Sequence, residues 1–188
     1  MSQRAFALTE ASELRVAINT DKGVRMIFGT LDGESEVRTL DIGVTNVSHL
    51  VALPNDRVAL LSDDSKITVL DAAGGVLWQH DYTSAGARSQ GAVAGMIFNL
   101  ARQELVVAGQ TADGGSWMTA VDLDGQSTWQ LQRQPQPIDE QEDRFRLVRG
   151  HGPSLVDVAA GPDGSLVAPG SSNQGLVYFM VGAGSCKP

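Results

Sequence analysis

Three histidines, His49, His80 and His151, and one cysteine, Cys186, are the side chains of this sequence best suited to metal or nucleophilic chemistry. A metal site asks for such ligands in pairs a few residues apart, and no two of these four stand at that spacing. His49 borders a short apolar run and reads as structural. His80 follows Trp78 and reads as lying near a loop. His151, in Arg149-Gly150-His151-Gly152-Pro153, is the best functional candidate of the three, although an exposed loop histidine is the safer reading. A nucleophilic thiol needs a base beside it. Cys186 lies in the small-residue tail 182–188, where catalysis is not expected, and a single cysteine excludes an intramolecular disulfide.

Carboxylates offer little more. Asp122-Leu123-Asp124-Gly125 looks like the start of a calcium loop, yet no bidentate Glu follows at the EF-hand spacing. The matching positions Asp71-Ala72-Ala73-Gly74 have lost one carboxylate, so a tight turn accounts for both copies, and Asp63-Asp64 and Asp113-Gly114 read as hairpin turns too. There is no G-x-S-x-G elbow and no phosphate-binding P-loop, and Gly150-x-Gly152 is too short for a dinucleotide fingerprint. No catalytic residue, metal or cofactor is therefore expected, and a non-enzymatic binding role is.

The binding candidates lie in loops. The segment Gln130 to Gly152 is long and polar, and it sets Asp139, Glu140, Glu142 and Asp143 beside Arg144, Arg146 and Arg149, with Phe145 as an apolar anchor among them. Loops of this length are usually functional or disordered. A solvated insertion is the plain reading. The functional reading is an arm that contacts a partner, His151 included. Two shorter polar loops are candidates for the same face: Tyr82 to Gly91, which carries Arg88, and Gly170 to Gly175, which carries Ser171, Ser172 and Asn173.

The elements that must hold these loops announce themselves by repetition. Val69-Leu70-Asp71-Ala72-Ala73-Gly74-Gly75-Val76-Leu77-Trp78 returns as Ala120-Val121-Asp122-Leu123-Asp124-Gly125-Gln126-Ser127-Thr128-Trp129, with the tryptophans 51 positions apart. Such a period marks repeat architectures. Around it lie short runs rich in Val, Ile, Leu and Thr, bounded by Gly, Asn, Asp and Pro, which predict strands joined by tight turns. Four units emerge. The first runs through 14–18, 24–29 and 36–41; the second through 49–53, 58–61, 66–71 and 76–80. The third runs through 94–98, 104–109, 116–122 and 127–131; the fourth, lacking a fourth strand, through 154–159, 165–168 and 175–181. Helix is expected nowhere with conviction; 8–14 and 139–146 are the nearest candidates.

The fold class expected is all-β: one propeller-like domain over 1–188, built of about four antiparallel sheet units with an insertion near 131–152. Ala5-Phe6-Ala7-Leu8 is a candidate to supply the strand missing from the last unit; completion by a second subunit is another solution. Trp78 and Trp129 are expected to pack between neighbouring sheets. The residues Asp71, Gly74, Trp78 and Asp122, Gly125, Trp129 resemble the Asp-x-x-Gly turn ahead of Trp in bacterial propeller repeats of the PQQ-type and WD-repeat-like superfamilies. That resemblance implies the architecture. It carries over no quinone-binding residue, and four units are fewer than a complete quinoprotein ring.

Composition narrows the partner. The 188 residues carry 14 Lys+Arg against 22 Asp+Glu, a formal net charge of −8, which repels phosphate backbones and disfavours nucleic-acid binding. No apolar run reaches the length of a membrane span, and no membrane partner is expected. The compartment stays open on this reading: periplasmic or secreted if a signal peptide has been removed, otherwise cytoplasmic. The expected function is a protein-binding module, with an inhibitor or immunity protein that binds a toxin enzyme as its specific form. The alternatives are a small-ligand or sugar-binding propeller or a hydrolase with a site at the propeller mouth, and a fragment of a larger structural repeat protein.

Overall fold

In the computed structural model the described residues are 4–30, 33, 35–40, 46–62, 66–82, 93–110, 115–133, 154–155, 157–172 and 175–181. They form sixteen strands: β1 (Arg4–Leu8), β2 (Glu13–Thr20), β3 (Gly23–Thr30), β4 (Ser35–Leu40), β5 (Val47–Ala52), β6 (Val58–Ser62), β7 (Lys66–Leu70), β8 (Val76–Asp81), β9 (Val93–Asn99), β10 (Glu104–Gln110), β11 (Ser116–Asp122), β12 (Ser127–Arg133), β13 (Ser154–Leu155), β14 (Ala159–Ala160), β15 (Leu166–Ser172) and β16 (Gly175–Val181). Pairing is antiparallel throughout, in four sheets: β1-β2-β3-β4, β5-β6-β7-β8, β9-β10-β11-β12, and a last one centred on β15. This is the all-β array of four sheet units that the repeats predict.

Three details differ from expectation. The stretch from Leu8 to Leu14 is a hairpin, not a helix: Thr9 N–H donates to the Glu13 carbonyl at 2.9 Å, and Ser12 turns the chain with φ 62°. The N-terminal strand pairs with β2 along Arg4–Leu8, so it belongs to the first sheet and does not complete the last. In that last sheet β16 occupies one edge of β15 over its whole length, so β13 and β14 must share the other edge as one interrupted lane. The helix candidate at 139–146 lies outside the described residues.

The chain divides into two compact units, residues 1–84 together with Asp124–Gln126, and residues 85–123 together with 127–188. Within the first, Ala5, Ala7, Ala17, Val24, Met26 and Phe28 of the first sheet pack against Val47, Leu50, Val58, Leu60 and Leu70 of the second. Within the other, Val106, Ala108, Met118 and Ala120 meet Val158, Leu166 and Ala168, with Trp129 and Leu131 at the margin. Strands β6 and β10 are buried along nearly their whole lengths, which is why they read as unbroken apolar runs. β3 instead alternates buried and open positions, as a strand with one covered face does.

The repeated phrase corresponds to a repeated geometry. Trp78 lies opposite Val69 and Trp129 opposite Ala120, and in both sheets the register slips at the next pair, leaving Leu77 and Thr128 as the bulged residues. Gly74 and Gly125 hold φ of 88° and 82°, conformations that a side chain strains, which is why Gly recurs there. The two tryptophans thus occupy equivalent places in successive sheets. Both are half-buried. The Trp129 indole N–H donates to Glu104 Oε2 at 3.0 Å, and the Trp78 ring lies so close to Gly125 that a Cβ there would meet it at 2.9 Å.

Candidate functional site

The arm singled out by its charge, Asp139, Glu140, Glu142, Asp143, Arg144, Phe145, Arg146, Arg149 and His151, lies outside the described residues, as do Arg88 and Asn173. Its two ends are placed. β12 is paired with β11 from Ser127 to Arg133, and β13 pairs with β15 at Ser154 and Leu155. Positions 134–153 therefore leave one built sheet edge and return to another within the same unit. Ser171 and Ser172 are strand residues, not loop residues: Ser171 is opposite both Ser154 and Leu176, and Ser172 opposite Gly175. The loop expected over Gly170 to Gly175 shrinks to 173–174, because the β15–β16 ladder runs almost to its tip.

The histidines that are described belong to strands. His49 lies in β5, half-buried, with Nδ1 3.0 Å from Ser48 Oγ. His80 lies inside β8, opposite Ile67, rather than at a loop, and its Nε2 is buried with no hydrogen-bond partner among the described residues. Among the described residues no three His, Cys, Asp or Glu side chains gather as a metal site would require. The Asp71 carboxylate closes its own turn: Oδ1 accepts from Ala73 N–H at 2.9 Å and from Gly75 N–H at 2.7 Å. That is an Asx turn, the tight-turn reading. Asp163 does the same for the turn ahead of β15, accepting from Ser165 N–H and Oγ–H, and these bonds, the hydroxyl first, hold its pKa below the ordinary value.

Sequence reading missed a different cluster. Residues two apart on a strand share a face, so Glu13-x-Arg15 in β2 and Glu36-x-Arg38 in β4 each set a carboxylate beside a guanidinium. Both pairs form, Arg15 with Glu13 and Arg38 with Glu36 at 2.6 Å. Between them on β3 stands Phe28, directly opposite Arg15 and Glu36. The two guanidinium carbons lie 4.6 and 4.7 Å from the centre of its ring, within cation–π range. Arg38 also donates through Nη1 to the Ala73 carbonyl in the Asp71 turn. Arg15 is buried, with its Nε unpartnered among the described residues. The repeated Glu-x-Arg was the available signal. Its chemistry is that of a charge-balanced clasp: the Arg38 hydrogen bond keeps the Glu36 carboxyl below the usual range, so it offers no proton at neutral pH.

No protein-family model matches the chain, and no curated protein does. Solved structures do. The Dos1 propeller superposes with a TM-score of 0.60 at 12% identity, over 97% of this chain and 41% of that one. The fold is that of propeller blades. YCF48, solved bound to a D1 peptide, matches with a TM-score of 0.60 at 12% identity, over 98% and 52% of the two chains. BamB from Moraxella catarrhalis matches with a TM-score of 0.53 at 15% identity, over 88% and 40%. The chain spans about half the length of the propeller structures it matches.

Proposed function

We propose that this chain is a non-enzymatic protein-binding module whose contact arm is the segment 134–153. The observation that supports this reading is the placement of the arm's two ends. β12 and β13 are each hydrogen-bonded into a sheet of one compact unit, so the polar segment of both charges links two paired strands. Loops held in this way commonly carry recognition. Opposite charges on one arm orient a partner and speed its approach, and Phe145 supplies the aromatic anchor that dominates many interfaces. On this reading Arg88, Ser171, Ser172 and Asn173 belong to the same contact.

The specific form we propose is an inhibitor or immunity protein for a toxin enzyme, a role that suits an acidic binder facing a basic partner. The test is capture of the partner from the source cell on the intact chain, followed by replacement of 134–146 with a Gly-Ser link. Binding lost with an unchanged melting curve supports the arm. Binding retained removes it from the mechanism. A captured partner without enzymatic activity leaves a binding module and rejects the inhibitor form.

A further inference from the structure

We draw no further inference here: the strongest candidate, the apolar outer face of the first sheet, where Phe6 is 75%, Leu8 54% and Val37 59% exposed, carries none because nothing in the structure shows what covers it.

Discussion

Single side chains in this molecule act mainly by closing local geometry, and the Glu36–Arg38 pair is the clearest measurable case. Arg38 hydrogen-bonds Glu36 and lowers its pKa from 4.5. Because the folded value is depressed, whatever the pair adds to stability is present above the unfolded pKa and fades as pH falls through the folded one. NMR titration of the Glu36 carboxyl should therefore give a midpoint below 4.5, moving back up in Arg38→Gln. An unmoved midpoint would mean that the pair does not persist in water. Gly125 is constrained twice, by φ 82° and by the Trp78 ring. Gly125→Ala should cost about 1–3 kcal/mol in urea melts from the backbone alone, and more from the clash of its Cβ with the Trp78 ring, the part that Trp78→Leu should recover. Trp129 is only half-buried, so Trp129→Ala should cost about 2–4 kcal/mol, toward the low side of aromatic truncations in cores. A loss under about 1 kcal/mol would place it among ordinary surface positions.

At the scale of elements, the hairpins carry the pattern. Asp71 N–H donates to the Gly75 carbonyl at 2.8 Å and Gly74 N–H to the Asp71 carbonyl at 3.0 Å; Gly161 and Ser165 make the first of these bonds and Gly164 and Gly161 the second, with the same lengths. A three-residue turn with a left-handed final residue is a standard hairpin connection, and the Asp71 side chain adds two acceptor bonds. Asp71→Ala should cost about 1–2 kcal/mol, whereas Asp71→Asn, which keeps Oδ1, should cost much less; equal losses in the two would show that charge rather than turn closure matters. These turns were legible in sequence because Asp, Gly and Pro have few other uses at such spacing. The strands were legible because Val58–Ser62 and Glu104–Gln110 are buried on both faces and so unambiguously apolar. The facing of β2 was not legible. Alternation alone assigns Leu14, Val16 and Ile18 to the core, yet Arg15 and Ala17 are the buried pair, because a guanidinium on the Phe28 ring with a carboxylate partner can be covered. The Glu-x-Arg clasp escaped for the same reason: its meaning depends on which face turns inward.

For the whole molecule, burial predicts a gradient of stability rather than a uniform one. Amides exchange with solvent through local opening, and opening is costliest where apolar contacts cover both faces of a strand and pairing is continuous on both edges. β6, β7, β10 and β11 meet these conditions: each is an inner strand of its sheet, and each is buried at nearly every position. β1 and β4 are edge strands of a sheet with one open face, while β13 and β14 have two residues each and one partner. Hydrogen-exchange mass spectrometry should therefore find the slowest amides in 58–62, 66–70, 104–110 and 116–122. Those of β13 and β14 should exchange fastest among the strands, with β1 and β4 between. The order of β1 is the informative one. If its amides fall between those of β13 and those of β6 and β10, the gradient follows burial and pairing within the sheets; amides in β1 as slow as those of β6 and β10 would show that it does not.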